Sequence, residues 1–273
     1  MKSPSIQFLW IGGRLSTLER LCLRSFLAHG HDVHLYTYEQ VKGVPEGVRL
    51  LNGRDILPET AIFTYKEGFG QGSYAGFADF FRYQLLRKRG GWWFDMDCIA
   101  LRSIPTPDDL LVGSSFEGKW GQCANNCPLY APYPAHPAFE WLCTEAARII
   151  ATRTSRFGDI GPFLVQRLIR EQSLERHVAP WWVFSPYPWR QVARTVQSDL
   201  RAILKDYLRL ARFLYWQAMR PDFRAGYLRR SSLALHLHNE IWRSAEIDKD
   251  AAYHPWCIYE RLKRRYHIAS DSP

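Results

Sequence analysis

At 273 residues the chain suits one α/β domain, and with 47% apolar and 15% aromatic residues, 11 of them Trp, it is too hydrophobic to be disordered. A net charge of +9, from 36 Lys and Arg against 27 Asp and Glu, suits an anionic partner such as nucleic acid, anionic lipid or nucleotide phosphates. The sequence offers no uncharged apolar run near the roughly 20 residues that cross a bilayer, and Ile6 to Gly12, followed by Arg14, does not read as a secretory signal. Its six cysteines, Cys22, Cys98, Cys123, Cys127, Cys143 and Cys257, lack the paired knuckles of a zinc site, so free thiols in a reducing cytosol are expected.

In chain order, Ile6 to Ile11 reads as a buried strand ended by Gly12-Gly13. Ser16 caps a helix running through Leu23 and Leu27, and Val33 to Tyr38 is the next strand. This order is the start of a nucleotide-binding α/β sheet, where ligands settle at the carboxyl ends of strands. Trp10 sits at such an end, either stacking on a base or packing in the core beside Phe8. From Gly76 to Lys88, Phe77, Phe80, Phe81, Leu85 and Leu86 mark a helical face that leaves Asp79, Arg82 and Tyr83 at near-helical spacing. As an i,i+3 pair, Asp79 and Arg82 ordinarily form a solvated ion pair worth a few tenths of a kcal/mol. Gly90-Gly91 ends this helix, and the buried strand Trp92-Trp93-Phe94 runs directly into Asp95-Met96-Asp97.

Two carboxylates at i and i+2 on an extended segment point the same way and grip one divalent ion, or one ion and a ribose. Ionised Asp beside buried aromatics is costly unless a cation or donor compensates it, which favours a metal site, Mg²⁺ or Mn²⁺, over a solvated face. Haloacid-dehalogenase-like phosphohydrolases also carry Phe-Asp-x-Asp, with the first Asp as nucleophile. Here Cys98-Ile99 replaces their Gly-Thr, and the motif follows a complete β-α-β start and a long helix.

The stretch Gly72 to Tyr83 followed by Gly90 to Asp97 resembles the sugar-binding DxD glycosyltransferases, among them bacterial capsular and O-antigen polysaccharide transferases, α-1,4-galactosyltransferases and glucosylating toxins. Further landmarks are Phe8 to Gly12, Asn125-Asn126 before Ala135-His136-Pro137, Gly161-Pro162, and Ala234 to Asn239 with Trp242. The resemblance implies one GT-A domain over residues 1–273, with a mixed central sheet flanked by helices and a helical C-terminal part. It also implies a nucleoside-diphosphate sugar donor (a UDP-sugar), Mn²⁺ or Mg²⁺, and transfer with retention to a glycan or lipid-linked acceptor in surface polysaccharide synthesis.

Residue roles carry over by position. Asp79, Arg82, Asp97 and Asn126 are the expected catalytic set, with Asp79 on donor hydroxyls, Arg82 on the sugar or phosphates, and Asn126 near donor and acceptor. Asp97 is the expected direct metal ligand, with Asp95 on the ribose or a metal-bound water and His236 the late metal or pyrophosphate ligand. A His within the apolar run Leu233 to Leu237 is otherwise a satisfied core residue. Trp10, Ile11, Gly12, Tyr74, Ala75, Trp93, Met96, His238, Asn239 and Trp242 complete the expected donor site. Ala78 and His238 depart from the pattern, standing where Ser and Trp are usual.

The segment at about 197–230 mixes Leu200, Ile203, Leu204, Tyr207, Leu208, Phe213, Leu214 and Trp216 with Arg201, Lys205, Arg209, Arg212 and Arg220. This is a basic amphipathic helix, read either as packed on the core or as a peripheral contact with an anionic membrane at the inner face of the cell membrane. A nucleic-acid-binding protein would also explain the charge, but not a paired-carboxylate strand, and no nucleic-acid module is present, so no nucleic-acid partner is expected.

Overall fold

The computed structural model describes residues 4–152, 156–196, 199–219 and 229–268. Its first half is a β-α-β start: β1 (Ile6–Trp10), α1 (Thr17–Ala28), β2 (Val33–Thr37), then β3 (Arg49–Asn52), α2 (Ala75–Arg89) and β4 (Gly91–Trp93). β5 (Cys98–Ala100), β6 (Leu111–Phe116), β7 (Gln122–Ala131), α3 (Pro137–Thr152) and α4 (Pro162–Glu171) follow. The remainder is mostly helical, with α5 (Trp181–Phe184), α6 (Leu200–Met219), β8 (Ala234–His236), α7 (Asn239–Ser244) and α8 (Ile258–Arg265).

Six strands form one mixed sheet in the order β3-β2-β1-β4-β7-β6. β1 runs parallel to both β2 and β4, whereas β7 is antiparallel to β4 and β6. The chain therefore builds outward from β1 through β2 and β3, then reverses to lay β4 on the other side of β1. Such a switch point opens a crevice at the carboxyl ends of the two strands, here at Trp10 and just beyond Trp93.

Strand alternation sorts side chains onto two cores. Ile6, Phe8 and Trp92 face one, shared with Leu18, Cys22 and Phe26 of α1 and with Leu235, Trp242 and Tyr259. Leu9, Tyr36 and Trp93 face the other, shared with Phe77 and Phe81 of α2, Phe139 of α3 and Leu164 of α4. Burying a large apolar side chain is worth ~1.5–3 kcal/mol, so the fully buried Trp92 and Trp93 fix β4 firmly between the layers.

The expected N-terminal cap is present as a capping box: the Ser16 hydroxyl accepts from the Leu18 backbone N–H, and the Ser16 N–H donates to Glu19 at 2.9 Å. Gly90 ends α2 with a φ of 65°, a left-handed turn that glycine adopts without strain, and β4 starts at once.

One expectation needs correction. Asp95-Met96-Asp97 is not extended: β4 ends at Trp93, and the Cys98 N–H donates to the Asp95 carbonyl at 3.0 Å, closing a turn between β4 and β5. The basic helix spans Leu200–Met219 and shows features of both of its readings. Ile203 is buried, but Leu200, Leu204, Leu208 and Tyr215 are exposed, beside exposed Arg201, Lys205, Arg209 and Arg212. The side chains of Phe213, Leu214 and Trp216, and residues 220–228 including Arg220, lie outside the described residues. No helix among the described residues is long and apolar enough to cross a membrane.

Candidate active site

The site gathers at the crevice between β1 and β4. α2 carries Asp79 and Arg82 one turn apart, and neither is solvated: they are 5% and 3% exposed. The Arg82 guanidinium donates to Asp79 at 2.9 Å, to Asp95 at 3.1 Å and to the Asn126 carbonyl at 2.8 Å, while lying over the Trp93 ring. The Asn126 amide, on β7, donates to Asp79 at 2.5 Å. One arginine thus compensates two carboxylates inside the protein, an arrangement far more consequential than the surface pair that spacing alone suggests.

Asp79 is pressed by a glycine. The Tyr83 hydroxyl donates to the Ile160 carbonyl at 2.9 Å, pinning the segment before α4 so that Gly161 lies against the Asp79 carboxylate and 3.1 Å separates its would-be Cβ from the Asn126 amide. Any side chain at 161 would displace this pair.

Beyond β4 the turn turns both DxD carboxylates toward one imidazole. Asp95 is anchored by the Trp93 indole N–H at 2.9 Å as well as by Arg82, and its other oxygen lies 4.0 Å from His236 Nε2. Asp97 is closer, 3.2 Å from His236 Nε2, and also accepts from the Asn239 backbone N–H. The long-range pairing that delivers His236 is β5 against antiparallel β8, with Cys98 opposite His236, extended by the Leu237 N–H on the Asp97 carbonyl at 2.9 Å.

Electrostatics divides these groups. Burial raises the Asp79 pKa to about 7, with Asp95 adding to the rise and Arg82 and Asn126 opposing it. Burial also opposes charge on Asp97, but His236, the Asn239 N–H and His238 outweigh it and hold this carboxyl well below the usual range. Burial alone would lower His236, yet Asp97, helped by Cys127 and Asp95, lifts it to about 10. His238 stacks on His236 with ring centroids 4.0 Å apart, and burial and the neighbouring imidazolium push its pKa well below 6.5. An ionised Asp97 next to a cation is what remains, and a divalent ion can take over the imidazolium's role.

The donor set fits a hard cation. His236 Nε2 lies 3.2 Å from Asp97 and 4.0 Å from Asp95, the first near the ~3 Å separation of neighbouring ligands around an ion with bonds of about 2.1 Å. His236 Nδ1 and Asn239 Oδ1 are buried with no hydrogen-bond partner among the described residues, as is Trp10 Nε1. Three orphaned polar atoms around one crevice point to a polar ligand that supplies their partners.

The structure brings together Asp79, Arg82, Trp93, Asp95, Asp97, Asn126, His236, His238 and Asn239. Trp10, with Ile11 and Gly12 after it, stands half-buried at the end of β1 with Lys249 Nζ 6.0 Å from its ring. Tyr74 and Ala75 begin α2 on the exposed side, and Met96 points into the core. Trp242, also expected in the donor site, is fully buried against Tyr259, and its indole N–H donates to the Leu237 carbonyl at 2.9 Å, bracing the β8–α7 turn. Gly161 was not given a role by sequence reasoning, since Gly-Pro signals only a helix start. Ser185, 3.3 Å from His238, carries no local signature at all.

Residues 48–117 match the family described as glycosyltransferase sugar-binding region containing DXD motif, and Asp95-Met96-Asp97 falls within them. The class that this stretch, about a quarter of the chain, resembles is that of the glycosyltransferases. Comparison with curated protein sequences returns no match. Among solved structures, the chain is similar to the PaToxG glycosyltransferase at 12% identity and a TM-score of 0.48, over 97% of this chain and 87% of that one. It is also similar to the UDP-bound glycosyltransferase domain of the YGT toxin, at 10% identity and a TM-score of 0.47 over 98% of each chain. A third is the glycosyltransferase GlyE of Streptococcus pneumoniae TIGR4, at 12% identity and a TM-score of 0.40, over 100% of this chain and 66% of that one.

Proposed function

We propose that the chain is a metal-dependent, retaining glycosyltransferase of GT-A architecture that moves a sugar from a UDP-sugar to a glycan or glycolipid acceptor in surface polysaccharide synthesis. The observation that carries this reading is the convergence of Asp95, Asp97 and His236 at the switch point of the sheet, beside the buried Asp79–Arg82–Asn126 network. Asp97 and His236 would hold Mn²⁺ or Mg²⁺, with Asp95 on the ribose or a metal-bound water. The ion, when bound, neutralises charge growing on the departing diphosphate.

The chain's own residues do the rest. Trp10 offers a ring face to the base at the end of β1. Asp79, with Asn126 and Arg82 fixing its carboxylate, accepts from donor hydroxyls as the anomeric carbon gains oxocarbenium character. Arg82 is preorganised by Asp79 and Asp95, so its charge is placed before the bond breaks. Because Asp79 is already tied by Arg82 and Asn126, the arrangement supports same-face attack, with the departing phosphate taking the acceptor's proton.

The exposed stripe Leu200, Leu204, Leu208 and Tyr215, flanked by four cations, supports a peripheral seat on an anionic membrane where a lipid-linked acceptor would reside. The six free cysteines suit a cytoplasmic enzyme on the inner face of that membrane.

The test is UDP binding by titration calorimetry with and without Mn²⁺. Binding that requires Mn²⁺ and is lost in Asp97→Ala, with the fold retained by circular dichroism, is the expected result. Equal binding in EDTA would contradict the assigned roles.

A further inference from the structure

On the inner side of the same turn lie two thiols that the transfer chemistry leaves without a role. Cys98 opens β5, Cys127 lies on β7, and their Sγ atoms are 3.5 Å apart. With a nitrogen of His236, the three ligand atoms lie within 4.8 Å of one another, and all three residues are buried.

The geometry is that of a thiolate metal site. A disulfide needs about 2.05 Å between sulfurs, far less than observed. Two zinc–sulfur bonds of about 2.3 Å opening at a tetrahedral angle separate the sulfurs by roughly 3.8 Å, close to the distance seen. The Asp95 backbone N–H donates to Cys127 Sγ at 3.3 Å, an outer bond of the kind that orients a metal-bound thiolate. Asp97 stands 4.0 Å from Cys98 Sγ and 3.2 Å from His236 Nε2, so a fourth ligand is in reach. The Asp95 side chain, 26% exposed, marks the way in.

We propose that Cys98, Cys127 and His236, with Asp97 as the fourth ligand, form a site for a thiophilic divalent cation of the zinc class, and that filling it excludes the hard cation from the Asp95–Asp97 pair. Thiolate sulfur selects zinc-like ions, whereas the carboxylates suit Mg²⁺ or Mn²⁺. The two sets share Asp97 and His236 and cannot both be satisfied. The enzyme would then be switched off by zinc-class ions through its own motif residues. The soft site stands on its own geometry, whereas the exclusion rests on the metal-dependent reading above.

Co²⁺ is the probe, added to the reduced full chain without sugar nucleotide. The expected result is a thiolate-to-cobalt charge-transfer band in the near ultraviolet, abolished by added Zn²⁺ and absent from Cys98→Ser and Cys127→Ala but kept by Asp95→Asn. In parallel, Mn²⁺ affinity followed by electron paramagnetic resonance should fall by about tenfold or more when one equivalent of Zn²⁺ is added to the wild type, and should fall much less in Cys98→Ser, where Zn²⁺ competes only for the carboxylates and His236. Circular dichroism checks each fold; should one cysteine variant fail to fold, the other and the wild-type spectrum decide. A folded wild type without a thiolate band overturns the soft site. A thiolate band with Mn²⁺ affinity indifferent to Zn²⁺ overturns the exclusion alone.

Discussion

Replacing Arg82 by Met keeps the apolar stem of the side chain while removing the charge shared by Asp79 and Asp95. Hydrogen bonds of 2.9, 3.1 and 2.8 Å to Asp79, Asp95 and the Asn126 carbonyl are lost together, at a position only 3% exposed. Breaking a buried pair by removing one partner costs ~3–5 kcal/mol, because the remaining charge is stranded. Unfolding entropy of about 2.1 cal/mol/K per residue over 273 residues is roughly 0.6 kcal/mol/K, so Tm should drop by about 5–9 °C. Differential scanning calorimetry in EDTA, at pH 9, where Asp79 is ionised in the wild type, and in low salt, reads this without interference from bound cations. The double variant Asp79→Asn/Arg82→Met should recover ~1–3 kcal/mol, since the stranded carboxylate is then gone. A drop under about 2 °C in Arg82→Met, with no relief in the double variant, would refute the idea that one guanidinium supports both carboxylates.

The remaining expectations concern pH, packing and surface. Asp79, raised from 3.8 to about 7, contributes stability that is present below its unfolded value and lost as pH rises through about 7. His236, raised from 6.5 to about 10, acts in the same direction at higher pH. Urea midpoints from pH 4 to 9 in EDTA should therefore fall more steeply for wild type than for Asp79→Asn, and parallel curves would exclude the titration. Gly161→Ala should cost ~1–3 kcal/mol by pushing a methyl onto the Asp79 carboxylate, and should abolish hydrolysis of a UDP-sugar that the wild type turns over; a fully active variant would show that Asp79 need not stay where it is. Co-sedimentation with anionic vesicles should weaken ~10-fold or more in Leu204→Glu/Leu208→Glu, and indifference to these changes or to anionic lipid would remove α6 from the membrane.

What the sequence discloses and what it hides follow from the range of the interactions. The β1–α1–β2 start, α2 and the strand entering the DxD motif are legible because apolar spacing, the Ser16 cap and Gly90-Gly91 are local signals. Asp79 and Arg82 could be placed on one face by counting, but their depth could not, since it depends on α3, α4 and β7 closing over them. Alternation alone makes the motif extended, whereas a hydrogen bond between residues three apart folds it into a turn. The pairing of Cys98 with His236 has no local trace, because register between distant strands is set by the two cores they bury. Trp242 shows the same dependence: its full burial against Tyr259 is set by α8, far from any local signal.

The two-stranded ladder of β5 and β8 clasps the motif turn to a segment some 142 positions later, as the Asn239 to Asp97 bond records. Most of that span is fixed, because β6, β7, α3 and α4 build the sheet and the second core, but loop-closure entropy grows only slowly with length, so the excursion from α5 to β8 that carries α6 can change length at little thermodynamic cost once the clasp is shut. Surfaces carried on that excursion, α6 among them, are thereby free to diversify toward new acceptors while the metal-facing residues stay in register.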